Sequence, residues 1–295
     1  MIYIDLNTDR IVEARKSHFN SLSTLLENRF KKMTLTNYQK DFVKQMIIPN
    51  LKLILIGEPK EIFEFSNSII ISGTKKDVIL KLFDYNRWFI QKTKNRYNSY
   101  ELAKNLDINT CVYCNRNYTS TVDKVTRPQF DHYFPQVKYP LLALSFYNLI
   151  PSCSICNVNI KGEKELSLAK HLHPYISTKT KSFQFTYRFN NNMKGALEIK
   201  IKHFNNKKLK NTLEFFKIEQ IYNAHNDELR DLIKIRDTFS DKYLEILSKS
   251  VLDGTNIGKS EMYQFAFGVY HDESKLLNRP FSKFKKDILK ELGII

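Results

Sequence analysis

From Thr8 to about Asn50, the apolar residues Ile11, Leu22, Leu25, Leu26, Phe30, Tyr38, Phe42 and Met46 recur mostly at threes and fours among charged positions. That spacing gathers them on one helical face and predicts two amphipathic helices. "LKLILIG" and "NSIIIS" are short apolar runs rich in β-branched residues, a pattern that suits a strand and a buried helix equally. Helical spacing returns in "KKDVILKLFDYNRWFIQKTKNRY", Lys75 to Tyr97, which carries seven basic residues against two acidic ones. A basic face of this kind suits phosphate, although a solvated helix surface has the same pattern.

Between Leu106 and His173 the long amphipathic period stops, and cysteine, proline and asparagine concentrate. Beyond it, "SFQFTYRF" and "ALEIKIKHF" flank the turn-rich "NNNMKG" and predict a β-hairpin. Leu209 to about Lys249 reads as mainly helical, with Leu229, Leu232, Ile233, Tyr243, Leu244 and Leu247 forming the apolar stripe. "FSKFKKDILKEL" follows near the end as a short basic amphipathic helix. The pattern contains no repeat, low-complexity tract or flexible linker. The expected fold class is therefore α-rich α+β. Residues 1–106 form a mainly helical region, 107–175 a functional module, and 176–295 a hairpin followed by helices.

A chain of 295 residues can bury one or two respectable cores. Its 47 Lys+Arg against 31 Asp+Glu give a formal charge of +16, a field that attracts polyanions, nucleic acid first among them. A merely lysine-heavy composition is the bland alternative. No stretch reaches the roughly 18 to 20 apolar residues that span a bilayer, and "MIYIDLNTDR" lacks the pattern of a secretory signal. The expectation is a cytoplasmic protein with no membrane partner.

Cys111 and Cys114 form "CVYC", and Cys153 and Cys156 form "CSIC". Two such knuckles bring four thiolates to one tetrahedral point, the preferred arrangement for structural zinc. Two redox dithiols or four reduced buried cysteines are the rival readings; the thioredoxin-like strand–helix context of a redox C-x-x-C is not evident. A closed four-thiolate site leaves no open position on zinc, so the metal would join distant segments and not catalyse.

"CVYC", "FDHYFP", "YNLIPSCSICN" and "KG", in that order, resemble the HNH endonucleases, the zinc-containing branch of the His-Me finger (ββα-metal) nucleases. The resemblance covers roughly Asn109 to Gly162 and implies a central ββα-metal module with a zinc knuckle, embedded between helical flanks. It implies hydrolysis of phosphodiester bonds to a 5′-phosphate and a 3′-hydroxyl. Such cleavage needs an activated water and positive charge where the phosphorane and the leaving oxygen gather negative charge. An imidazole neutral near pH 7 suits the role of base, which falls to His132. Asp131, on the opposite face of the same strand, and Asn157 offer hard oxygens to a catalytic Mg²⁺ or Mn²⁺. By resemblance Asn148 braces the loop that carries His132. Taken singly, these residues read as a surface pair and turn or cap bonds. Their joint order is what points to a nuclease.

Family members often read C-N-x-x-K-G, whereas three residues separate Asn157 and Lys161 here. On an α-helix the extra position turns Lys161 by about 100°, which weakens both its expected place near the phosphate and Asn159 as a substitute ligand. Arg127, Lys138, Lys161 and His173 are the candidate nucleic-acid contacts, His171 is a weaker one, and Tyr113 and Tyr118 are expected to pack on the zinc knuckle. The flanks carry no recognisable base-reading motif, so little sequence specificity is expected. The whole chain is similar to HNH proteins of bacterial anti-phage systems, including the Septu type, in which a nuclease is paired with an ATPase of the SMC/ABC kind. DNA is the expected substrate. RNA or tRNA would be cut by the same residues, and a non-catalytic zinc module that binds nucleic acid is the remaining alternative.

Overall fold

A computed structural model of the chain describes residues 1–91, 96–176, 183–190, 196–202, 205–239, 243–251 and 257–295. It is rich in helix, with two small two-stranded sheets. Helix α1, Asp9–Lys32, buries Ile11, Ala14, His18, Leu22 and Leu26 along one stripe. Asp9 in its first turn and Arg29, Lys31 and Lys32 in its last complement the helix dipole. Helix α2, Asn37–Phe42, starts at a reciprocal Thr36/Gln39 capping box and runs on through a π turn and a 3₁₀ turn to Asn50. Tyr38 and Met46, expected on the apolar face, are exposed.

The two ambiguous apolar runs resolve differently. "LKLILI" is helix α3, Leu51–Ile56, with Ile54 and Leu55 fully buried. It ends at Gly57, where a Cβ would lie 2.5 Å from the Leu53 carbonyl oxygen, so only glycine fits. Helix α4, Pro59–Ser68, begins with proline at its first position and ends inside "NSIIIS". The isoleucines that follow make neither strand nor helix, and Ile70 is exposed. The run from Lys75 is not one helix: α5, Gly73–Phe83, stops at Asp84, and Tyr85–Phe89 forms a separate π turn that buries Tyr85, Trp88 and Phe89. Residues 92–95 of that run lie outside the described residues. Helix α6, Ser99–Leu106, is capped by the Asn98 side chain.

The first sheet pairs β1, Gln129–His132, with β2, Leu149–Ser152, antiparallel. The second is the expected hairpin, β3 Gln184–Asn190 with β4 Ala196–Lys202; residues 191–195 of its "NNNMKG" connection lie outside the described residues. Helices α7 (Lys207–Phe215), α8 (Ile218–Tyr222), α9 (Asn226–Phe239), α10 (Tyr243–Ile246), α11 (Lys259–Phe267) and α12 (Ser282–Glu291) follow. The last is not a free basic helix, because Lys283, Phe284, Asp287, Ile288 and Leu289 are all buried. Among the described residues, no helix is long and apolar enough to cross a membrane.

Both flanks grip the central segment. His18 on α1 pairs its Nε2 with the Leu144 carbonyl at 2.8 Å, Arg15 donates to the Tyr147 hydroxyl at 2.7 Å, and the Ser145 hydroxyl donates to the Ile54 carbonyl. From the other side Tyr222 donates to the Cys114 carbonyl at 2.7 Å, and the Phe281 N–H to the Asn115 carbonyl at 2.7 Å. Asn115, in the left-handed region at φ 51°, turns its amide onto Thr110 and the Leu276 carbonyl. These bonds satisfy buried backbone groups that the irregular central segment would otherwise strand.

Candidate active site and metal centre

The first knuckle is a tight turn closed by Asn115 N–H to the Cys111 carbonyl at 2.7 Å and flanked by a Thr110–Tyr118 bridge. It lies beside β2 because Val112 N–H donates to the Pro151 carbonyl at 3.2 Å. Strand β2 then delivers Cys153, and a π-helical segment, Ile155–Lys161, delivers Cys156. All four sulfurs lie within 4.8 Å of one another, and all four residues are buried. Tetrahedral zinc with Zn–S bonds of about 2.3 Å has S···S edges of about 3.8 Å. The Cys114–Cys153 pair, at 4.0 Å, is close to that edge. N–H groups also point at the sulfurs, as thiolate ligands require: Arg116 N–H to Cys114 at 3.4 Å, and the Asn117 amide to Cys153 at 3.3 Å. The residues present fit a four-thiolate metal such as zinc.

In the β1–β2 register His132 faces Leu149 and Asp131 faces Ile150, and neighbouring side chains on a strand point to opposite sides. His132 pairs its Nε2 with the Ala143 carbonyl at 2.9 Å, with its ring edge-on to Tyr85 at 4.6 Å between centroids. A carbonyl can only accept, so Nε2 carries the hydrogen and the neutral ring keeps its lone pair on Nδ1. Burial lowers the His132 pKa, with a smaller push from Lys161, against the Ala143 bond and Asp131, which raise it. Asn148, fully buried at the foot of β2, accepts from Phe134 N–H at 2.7 Å and donates to the Phe134 and Leu142 carbonyls at 3.1 and 2.9 Å. It thereby ties the chain just after His132 to the turn that carries Ala143.

Asp131 is buried at 2% exposure and accepts from two donors: Lys161 Nζ at 2.9 Å on one oxygen and the Tyr113 hydroxyl at 2.6 Å on the other. Burial and the Asp131 charge hold the Tyr113 pKa well above its ordinary value, so the hydroxyl remains a donor. Lys161, also 2% exposed, donates in addition to the His132 carbonyl at 2.9 Å. Lys161 is not rotated away from Asp131 as an α-helix would require. Because Ile155–Lys161 is π-helical, with Gly162 N–H reaching back five residues to the Asn157 carbonyl at 2.8 Å, the extra residue is absorbed and Lys161 returns to the Asp131 face. Its ammonium nevertheless ends on a carboxylate, not in solvent where the expected phosphate contact would place it.

Asp131, His132, Asn157 and Lys161 line one cavity of about 440 Å³, together with Tyr85 and Lys138. The donor set does not fit the expected Mg²⁺ or Mn²⁺ as it stands. Of the expected pair, the Asp131 carboxylate is neutralised by Lys161, and Asn157 donates its Nδ2, not its oxygen, to Gln129 Oε1 at 3.1 Å; of the other carboxylates lining the cavity, Glu163 and Glu165, the latter is paired with Lys138. A divalent ion needs six oxygens near 2.1 Å and gains no net attraction from a paired lysine and aspartate.

The remaining candidates scatter. Lys138 pairs with Glu165 at 2.8 Å at the cavity rim, and the Arg127 guanidinium stacks over Tyr100 and Phe130. His173 is buried against Tyr133, away from the surface that the expected phosphate contact needs, with its pKa lowered to about 3 by burial. His171 accepts from Ser167 N–H at 3.1 Å and packs on Phe215, so it too is a local structural residue. Asn159 is exposed and outside the cavity lining. Tyr113 stacks on Phe216 as well as holding Asp131, whereas Tyr118 is exposed and does not cover the knuckle. Sequence reasoning missed Tyr85 as the ring that positions His132 and Tyr113 as a partner of Asp131. Tyr113 sits inside "CVYC" and could have been weighed; Tyr85 carries no signal at all.

No protein-family model and no solved structure matches the chain. Among curated proteins it is similar to Septu protein PtuB of Bacillus thuringiensis, at 28% identity over 101 residues. The match spans 33% of this chain and 37% of that protein's length.

Proposed function

We propose that the chain is a nuclease of the HNH kind, whose β1–β2 hairpin and following helical segment form a ββα module riveted by zinc. The observation that carries this reading is the tautomer of His132. Its Nε2–H is tied to the Ala143 carbonyl, which leaves Nδ1 as an acceptor in a cavity shared with Asp131, Lys161 and Asn157. His132 Nδ1 takes a proton from water as the water oxygen bonds to phosphorus. The P–O3′ bond breaks and the leaving 3′ oxygen takes a proton from a solvent water, giving a 5′-phosphate and a 3′-hydroxyl, while the proton on His132 returns to solvent. Asp131 and Lys161 hold the strand: Lys161 bridges the Asp131 carboxylate and the His132 carbonyl, fixing the backbone that aims the imidazole. Asn148 ties the chain just after His132 to the turn that carries Ala143, and Tyr85 packs edge-on against the imidazole ring.

The charge of +16 supports a nucleic-acid substrate, with DNA preferred on the resemblance. The similarity to Septu protein PtuB supports a place in an anti-phage defence system. In this reading a partner ATPase docks on the helical flanks and restrains the nuclease. End mapping tests the chemistry. Labelled DNA and tRNA incubated with the chain should yield 5′-phosphate ends on at least one substrate; 5′-hydroxyl ends with 2′,3′-cyclic phosphate would contradict water attack.

A further inference from the structure

Arg29, Lys32 and Arg96 meet around a second cavity of about 520 Å³, whose wall is completed by Leu25, Asn28 and Met33. Among the described residues, no carboxylate lines it. The guanidinium carbons of Arg96 and Arg29 stand 4.8 and 5.4 Å from the ring centroid of Trp88, the single tryptophan of the chain. Arg29 is anchored by donating to the Leu82 and Lys81 carbonyls at 3.1 and 2.6 Å, and its one acidic neighbour among the described residues, Asp84, is 3.9 Å away. Arg96 has no acidic partner among the described residues, and its buried Nε has no hydrogen-bond partner. Burial first, and the Arg96 charge in smaller measure, push the Arg29 pKa below its ordinary value against the pull of Asp84. Two guanidinium groups held against one ring, with an ammonium beside them, repel one another until an anion enters.

The position gives the anion a source. Trp88 and Tyr85 belong to the same five-residue π turn, and Tyr85 is the ring that packs on His132. We propose that this pocket binds a backbone phosphate of the same nucleic-acid strand whose scissile phosphodiester enters the His132 cavity. The proposal rests on the nuclease reading. Stacked over the ring, Arg96 can still turn its terminal N–H groups to a phosphate, a sequence-independent backbone contact, while Arg29 spends its Nε and one Nη on the Leu82 and Lys81 carbonyls and contributes mainly its charge.

Trp88 makes the test direct. The full chain carrying His132→Ala, which leaves the strand uncut, is titrated with a twelve-nucleotide thymidine strand and separately with inorganic phosphate while tryptophan emission is recorded. The expected result is a saturable emission change with the strand. Lys32→Gln and Arg96→Gln should each weaken strand binding several-fold and lower the salt slope by about 1. Arg96→Lys, which keeps the charge, should retain most of the affinity, and exposed Lys32 should be replaceable without loss of thermal stability. Strand binding with unchanged emission and unchanged salt slope in both glutamine variants would overturn the proposal. So would an emission change given by phosphate alone and not by the strand, which would make the pocket a free-phosphate site. Cleavage by the otherwise wild-type chain that is indifferent to Lys32→Gln and Arg96→Gln would sink this inference only. Failure of the wild-type chain to bind or cut any nucleic acid would sink the nuclease reading with it.

Discussion

Lys161→Met removes the ammonium from a carboxylate that is itself only 2% exposed, and the structure sets the scale of the loss. At 2.9 Å and an effective dielectric of about 20, the pair's Coulomb energy is about 6 kcal/mol. Desolvation of both groups offsets part of that, and removing one partner of a buried pair costs about 3–5 kcal/mol because the other charge is stranded. The bond to the His132 carbonyl is lost as well. Thermal unfolding of the zinc-loaded chain should therefore fall by on the order of 10 °C. Asp131→Asn in the same chain removes the stranded charge while the amide oxygen still accepts from Tyr113, so the double variant should be more stable than the sum of the single losses by about 1–3 kcal/mol. Denaturant melts of the wild type, both single variants and the double variant complete the cycle. A Lys161→Met variant within about 1 kcal/mol of wild type, or strict additivity, would refute the claim that this pair holds the site together.

Three further outcomes follow from the same geometry. Cys156→Ser should lose the bound metal, measured as about one zinc per wild-type chain by elemental analysis, and strip the chain of a large part of its stability, since structural zinc sites contribute folding energy outright. Asn148→Ala leaves the Phe134 N–H and the Phe134 and Leu142 carbonyls without their partner, so it should cost about 2–4 kcal/mol in urea melts and abolish cleavage while zinc is retained. Buried His18 and His173, with pKa values lowered to about 4 and about 3, stay neutral in the folded chain where the unfolded chain binds protons below pH 6.5. Stability should accordingly be full above pH 6.5 and fall by about 2–4 kcal/mol between pH 7 and pH 5; a flat profile, measured by urea melts in matched salt, would contradict the buried placement.

What the sequence disclosed follows from what each signal encodes. The cysteine knuckles and the order Asp131, His132, Asn148, Asn157 were readable because metal spacing and a linear motif are local properties. The hairpin and α1 were readable because alternation and the three-to-four period report one buried face. The π turn from Ile155 to Lys161 was not readable: an inserted residue looks like a rotation until the backbone absorbs it. Nor was the pairing of Asp131 with Lys161, since twenty-nine intervening residues hide the contact and a lysine in a basic chain reads as surface. The isoleucines of "NSIIIS" stayed open between strand and helix, because a run of β-branched residues marks a strand only when a partner edge exists, and none lies beside Ile70 among the described residues.

The central claim is that His132, held as the Nε2–H tautomer, activates water against a phosphodiester. Supercoiled plasmid, single-stranded DNA and tRNA are incubated with purified wild-type chain and with His132→Ala in the same Mg²⁺-containing buffer, and binding is measured alongside cutting. The account predicts that the wild type cleaves at least one of the three and that His132→Ala binds it with similar affinity but cuts at least a hundredfold more slowly, as expected for loss of a general base. Equal cutting by the two chains would remove His132 from the chemistry and contradict the account.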